Sequence, residues 1–98
     1  MTRVYLEQDG RHFLVSCQGH ATGSTEMCAA ISCLVQTLDS WLDQEECAVT
    51  ERKVELGTAV LRFSGGARCK AVFDLLVTGF FCLAATDQQH ISVEFQEV

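Results

Sequence analysis

The spacing of apolar residues changes period along this chain, and this change constrains the fold more than any other feature. Apolar and polar residues alternate in Arg3–Glu7, which is the period of a β-strand. Phe13–Cys17 predicts the returning strand of a hairpin, because Asp9-Gly10 is a favoured tight turn. Over Thr25–Asp43 the apolar residues recur every three or four positions, which predicts an amphipathic helix.

The second half of the chain shows a similar succession of periods. Val49–Leu56 and Thr58–Phe63 predict two strands joined at Gly57, and Gly65-Gly66 leads into a second helix with one apolar stripe. Ile91–Phe95 predicts a last strand. The predicted order is therefore β-β-α-β-β-α-β, an α+β fold in which a mostly antiparallel sheet carries two packed helices.

Length and charge limit the classes of function. Ninety-eight residues predict a single domain over 1–98. The net charge of −6, with no Lys/Arg run, argues against direct nucleic-acid binding and suits a basic partner. Lys70 and Asp74 interrupt the longest apolar-rich stretch, which is also shorter than a bilayer span requires. The N-terminus has no signal-peptide pattern, so we expect no membrane partner and a cytoplasmic location.

Six cysteines need an explanation in so short a chain. Three disulfides would need an oxidising compartment, and the zinc spacings C-x2-C and H-x3-H do not occur in the sequence. Four of the six lie in segments of apolar periodicity: Cys17, Cys33, Cys69 and Cys82. We therefore expect five reduced core cysteines, with Cys28 as the exception, and neither a metal nor a cofactor.

Cys28 is the residue with the clearest chemical potential. It falls in the first turn of the first predicted helix, which Ser24 or Thr25 can cap. The backbone N–H groups and the dipole of a helix start stabilise an anion, and so favour a nucleophilic thiolate. His20 ends the preceding strand, and the seven-residue loop between the two can bring its imidazole within hydrogen-bonding reach of the sulfur.

Spacing alone leaves a plainer interpretation open. His20 would then be a loop histidine and Cys28 a buried helix residue. His90, which precedes the last strand with Asp87 nearby, is a weaker candidate for a site. The acidic run Asp43–Glu46 is most simply a solvated helix end, although it would attract a basic substrate.

Two short motifs add a family resemblance. Gly19-His20-Ala21, followed by Cys28-Ala29-Ala30-Ile31-Ser32, resembles the ribosomal-processing cysteine proteases of the Prp family. The likeness covers nearly the whole chain in size and element order. It implies a homodimeric cysteine endopeptidase that removes the N-terminal extension of a large-subunit ribosomal protein by cutting after an aromatic pair. By position, His20 would be the general base and Cys28 the nucleophile.

The resemblance also implies a substrate-binding loop. The segment Ala21–Thr25 would be a flap over the substrate peptide, and the substrate-binding residues would be Gly19, Ala21, Gly23, Thr25 and Ser32. Family members usually have a longer loop here, and an aspartate where this chain has Thr25. Two alternatives therefore stay open: a catalytically weak or inactive peptide-binding module, and a metal site that includes His20 and Cys28.

Overall fold

The structure is a computed structural model that describes residues 1–19, 24–44 and 47–98. Over these residues the chain forms five strands and two helices in the predicted order, so the α+β class is confirmed. The strands are β1 (Thr2–Asp9), β2 (His12–Gln18), β3 (Ala48–Glu55), β4 (Thr58–Ser64) and β5 (Ile91–Glu97). The helices are α1 (Thr25–Gln44) and α2 (Ala67–Thr86).

The strands form one sheet in the order β3-β4-β2-β1-β5. The pairs β1–β2, β2–β4 and β3–β4 are antiparallel, and only β1 and β5 run parallel among the described strands. The mostly antiparallel sheet is thus confirmed, and the parallel pair is possible because α2 serves as a long crossover before β5. The loop of the first hairpin is Gly10-Arg11 rather than the predicted Asp9-Gly10, because Asp9 still pairs with His12.

Both helices pack on one face of the sheet. Alternate residues of the strands point to this face, and Leu6, Val15 and Leu61 are completely buried there. Leu38 of α1 and Phe73 of α2 are equally buried in the same core. Phe73 also contacts an aromatic ring of β2, with the two ring centroids 4.9 Å apart. The apolar stripes that predicted the helices are therefore the surfaces that join them to the sheet.

Helix α2 is long and apolar enough, by length and composition alone, to cross a membrane. The sequence analysis expected the longest apolar-rich stretch to be shorter than a bilayer span, and the 20-residue length of α2 contradicts this. Its inner stripe lies in the core against the sheet and consists of Cys69, Phe73, Leu76 and Phe80. On the other sides, Phe81 is exposed, whereas Val77 is half-buried against the core.

The cysteines differ from the sequence prediction. Cys47 and Cys69 form a disulfide, with their Cα atoms 6.5 Å apart, and Cys33 and Cys82 are exposed thiols. Cys17 is the reduced, buried cysteine that was expected. The prediction was wrong for the other four, because apolar periodicity does not show which cysteines approach each other across 22 residues. Apolar periodicity also predicts that Cys33 and Cys82 lie on helices, but it does not show that their side chains face away from the core.

Strand β3 forms one edge of the sheet and is mostly exposed. Arg52 holds this strand to α1, since its Nε lies 2.6 Å from Asp39 Oδ1 and its Nη1 lies 2.8 Å from Asp43 Oδ1. Asp43 is therefore paired within the chain instead of being a purely solvated helix end, and Glu45 and Glu46 lie outside the described residues. These partly exposed ion pairs link α1 to the β3–β4 hairpin.

Candidate active site

Cys28 lies at the start of α1, close to a residue that caps the helix. Met27 N–H donates to the Ser24 hydroxyl oxygen at 3.1 Å, and Cys28 N–H donates to the Ser24 carbonyl oxygen at 3.2 Å. Of the two predicted caps, Ser24 rather than Thr25 takes this role. Cys28 is the fourth residue of the helix, is half-buried and stands outside the disulfide. The sequence placed it correctly in the first turn.

A cleft of about 330 Å³ opens beside Cys28. One wall is the face of α1 that carries Cys28 and Ser32, and the opposite wall is the tip of the β3–β4 hairpin, residues 54–58. Thr2 and Gly19 lie at the base, where β1 and β2 meet. This volume is at the lower end of the range for ligand sites, so the cleft can receive a peptide side chain.

Gly19 directly follows β2, in a conformation that requires glycine. Its φ is +89°, and a Cβ at this position would lie 2.7 Å from the Met1 carbonyl oxygen. Its N–H donates to the Gly57 carbonyl oxygen at 2.8 Å, and its carbonyl oxygen accepts from Thr2 Oγ1 at 3.3 Å. The glycine of the Gly19-His20-Ala21 motif is therefore the residue type that fits here without strain.

The structure brings together three of the predicted site residues. Gly19, Cys28 and Ser32 line the same cleft. Thr25 is exposed at the first position of α1 and lies outside the cleft lining, so its role in substrate binding stays a prediction. The remaining predicted site residues lie outside the described residues, and their roles also stay predictions: His20, Ala21 and Gly23.

Two cysteines line the cleft, and burial distinguishes them. Cys17 is buried, which raises the pKa of its thiol to about 12, so that it stays protonated at neutral pH. Cys28 is half-buried at the start of α1, and its side of the helix opens on the cleft. Cys28 is therefore the candidate nucleophile of the cleft.

The cleft-lining residues that sequence reasoning missed include Thr2, Val54 and Leu56. Leu56 is 93% exposed at the tip of the β3–β4 hairpin, beside Gly57. Gly57 marks the turn in the sequence, and this signal places its neighbour Leu56 at the tip of the hairpin. Thr2 had no comparable signal, because its importance depends on a neighbour 17 residues away.

The other candidates lie elsewhere. His90 Nδ1 is 2.6 Å from Asp87 Oδ2 just beyond α2, and the hydrogen bond with His90 lowers the pKa of Asp87. Neither residue lines the cleft. Within residues 1–19, 24–44 and 47–98, no group of three or more His, Cys, Asp or Glu side chains is arranged to hold a metal ion.

Comparison with known proteins gives structural matches only. No family model matches the sequence, and no curated protein matches it. SMU.848 from Streptococcus mutans has a TM-score of 0.75 at 18% identity, covering 100% of this chain and 96% of its own. The ribosomal processing protease Prp from S. aureus, with a covalently linked product peptide, has a TM-score of 0.81 at 11% identity. The same protease with a substrate peptide has a TM-score of 0.72 at 9% identity. In both cases 98% of this chain and 100% of the protease chain are covered.

These matches define the class of fold. Over 98% of its length the chain has the fold of a Prp ribosomal processing protease, so the family resemblance seen in the two motifs is confirmed for the fold. Identities of 9–18% establish the fold alone, since one fold can carry different activities. The activity must therefore be argued from the cleft and its residues.

Proposed function

We propose that this protein is a cysteine endopeptidase that removes the N-terminal extension of a large-subunit ribosomal protein. Cys28 is the nucleophile and His20 the general base. The observation that carries the proposal is the place of Cys28, at a capped helix start that opens on a cleft. Two further points support it: the Gly19-His20-Ala21 motif, and a solved structure of the same fold that holds a covalently linked product peptide.

The proposed reaction has two stages. His20 accepts the proton of the Cys28 thiol, and the sulfur forms a bond to the scissile carbonyl carbon. The carbon–nitrogen bond then breaks, and His20 gives the proton to the leaving amine, which leaves a thioester on Cys28. In the second stage water loses a proton to His20 and attacks the thioester, releasing the carboxylate product and restoring the thiol. No cofactor is needed.

The substrate follows from the cleft and the charge of the chain. Ile31, Val54 and Leu56 supply apolar walls near Cys28, which suit an aromatic or aliphatic side chain beside the scissile bond. The net charge of −6 favours a basic peptide, as a ribosomal protein precursor provides. We further propose a cytoplasmic homodimer with no direct nucleic-acid or membrane partner.

The test is cleavage of a precursor peptide followed by mass spectrometry. The peptide carries an aromatic pair, then small residues, then basic ones. Cys28→Ala and His20→Ala should each lower the cleavage rate by about 10³-fold or more. Cys33→Ala is the matched control, because Cys33 is an exposed thiol on the same helix. Cleavage by Cys28→Ala at the rate of the unmodified protein would overturn the proposal.

Reductant is included in one arm of this assay. Disulfides are rare in the cytosol, and the Cys47–Cys69 bond would be reduced there. We expect the cleavage activity to persist in dithiothreitol, because neither Cys47 nor Cys69 lines the cleft.

Alkylation tests the nucleophile without a substrate. Iodoacetamide labelling followed by peptide mapping gives a separate rate for each thiol at each pH. We expect Cys28 to react faster than Cys33, and Cys17 to react far more slowly because its pKa is about 12. A Cys28 rate no greater than that of an unperturbed thiol would contradict its assignment as an activated nucleophile.

A specific observation also favours the inactive peptide-binding module. The N–H groups of Met27 and Cys28 are already engaged by Ser24, so this helix start does not offer them to a developing oxyanion. Such a module would bind the same peptide in the same cleft. Equal affinity of the unmodified protein and Cys28→Ala, with no product from either, would establish the module and exclude the endopeptidase.

A further inference from the structure

The sheet carries small side chains under the cleft, and we propose that Ala59, together with Cys17, sets the size of the substrate side chain that the cleft accepts. Both residues line the cleft, and each is only 5% exposed. The inference rests on the proposed function, which makes a peptide the ligand of the cleft, and it adds the residues that select among peptides.

The floor of the cleft is part of one row of paired residues that crosses three strands. Cys17 of β2 pairs with Ala59 of β4, and Ala59 pairs on its other side with Val54 of β3. Paired residues of neighbouring strands point to the same face of a sheet, so these three side chains stand side by side. Val54 belongs to the hairpin wall, and Cys17 and Ala59 therefore form the floor beside it.

The next row on the same face shows what larger side chains do. Two residues along each strand, Val15 pairs with Leu61, and both are completely buried. Neither of them lines the cleft. Because residues two apart in a strand share a face, the cleft ends where the floor changes from small to large side chains. The open volume of about 330 Å³ therefore lies over Ala59 and Cys17.

Helix α1 places the candidate nucleophile beside this floor. Cys28 and Ile31 both line the cleft, and at 1.5 Å per residue they lie about 4.5 Å apart along the helix axis. Val35, one helical turn after Ile31, also lines it. A peptide held at the Cys28 sulfur can therefore place a side chain near its scissile bond between these apolar residues and the floor.

The consequence for specificity is one of depth. An apolar pocket distinguishes side chains by the contact area that they gain, and a single methylene group changes the discrimination by about tenfold or more. Ala59→Val adds two carbon atoms to the floor, whereas Cys17→Ala removes a sulfur atom from it. The two substitutions should therefore shift the preferred size of the substrate side chain in opposite directions.

The test measures selectivity with peptides that differ in one side chain. The two residues before the scissile bond are varied in turn between alanine, phenylalanine and tryptophan, and kcat/KM is measured for each peptide. At one of these positions, Ala59→Val should lower the ratio of the phenylalanine to the alanine peptide by about tenfold. At the same position, Cys17→Ala should raise the ratio of the tryptophan to the phenylalanine peptide by about threefold or more.

The matched control is Ala48→Val, which makes the same change at an exposed position of β3 outside the cleft lining. It should leave both ratios unchanged. Ratios within one variant do not depend on its folded fraction, which circular dichroism measures. If Ala59→Val does not fold, Cys17→Ala provides the test, because it removes an atom from the floor instead of adding two.

A binding measurement makes the test independent of turnover. With Cys28→Ala as the background, fluorescence polarisation of the labelled peptides gives their dissociation constants, and the same shifts are expected in the ratios of affinity. Unchanged ratios in the floor variants, or shifts equal to those of Ala48→Val, would overturn the inference.

Failure of the proposed function gives a different result. If cleavage depends on Cys28 but the ratios do not shift, only the role of Ala59 and Cys17 falls. If no peptide is cleaved while the ratios of affinity shift as expected, the endopeptidase falls and the role of the floor stands.

Discussion

The two helices each carry a cysteine in the first turn and differ in what surrounds it. Both are 20 residues long, and each has a cysteine there: Cys28 is the fourth residue of α1 and Cys69 the third of α2. Cys28 is a half-buried thiol on an open cleft, whereas Cys69 is 4% exposed and bonded to Cys47. Ser24 caps α1 with its side chain, whereas Gly66 gives α2 no side-chain cap.

The two first turns therefore differ in access to the sulfur, although both are helix starts. The start of α2 is filled: a Cβ on Gly65 would collide with the sulfur of Cys69 and lie 3.5 Å from that of Cys47. The start of α1 faces a cleft, so a substrate can reach its sulfur.

The largest expected effect concerns reactivity after reduction. With the disulfide reduced under native conditions, Cys69 should react with iodoacetamide about 10³-fold more slowly than Cys28, because burial disfavours its thiolate and blocks the reagent. Peptide mapping by mass spectrometry measures both rates in one sample. Similar rates would mean that position at a helix start, rather than access, controls reactivity.

The next effect is on stability. Replacing both Cys47 and Cys69 by alanine should lower the free energy of unfolding by about 3 kcal/mol, because the bond closes a loop across 22 residues. Urea unfolding measures the change, and Cys82→Ala, at an exposed thiol, should change it little. An unchanged urea midpoint in the double variant would show that the start of α2 is held by packing alone.

A smaller effect is expected at the cap of α1. Ser24→Ala should lower the free energy of unfolding by about 1 kcal/mol, since it removes the acceptor for Met27 N–H. Ser40→Ala, at an exposed position in the same helix, serves as the control in urea unfolding. If both variants are equally stable, the Ser24 side chain does not contribute as a cap.

The smallest effect is expected for a substitution that gives α2 a side-chain cap like that of α1. Gly66→Ser offers α2 the side-chain cap that it lacks, and should raise the free energy of unfolding by a few tenths of a kcal/mol. The φ of Gly66 is −89°, and a Cβ would lie 3.4 Å from the flexible end of Arg11. Gly65→Ser is the contrast, because its Cβ would collide with Cys69 and should be destabilising. A loss of stability in Gly66→Ser would contradict the prediction.

Much of the fold could be predicted because its signals are local. Hydrophobic period and capping residues act within one or two turns of chain, and they placed α1 and α2 within a few residues of their bounds. Errors arose where a partner decided the boundary. The hairpin turn shifted to Gly10-Arg11 because Asp9 pairs with His12 across the strands, a contact that depends on register.

The sequence by itself determined the order of the elements and the place of Cys28 at a helix start. Only the tertiary structure decided what surrounds them. Sheet order brings Thr2 to Gly19, and packing brings Cys47 to Cys69. The ion pairs of Arg52 hold the β3–β4 hairpin beside α1, which forms the second wall of the cleft. The physical reason is that period and capping depend on neighbours in the chain, whereas access to Cys28 depends on residues that become neighbours only after folding.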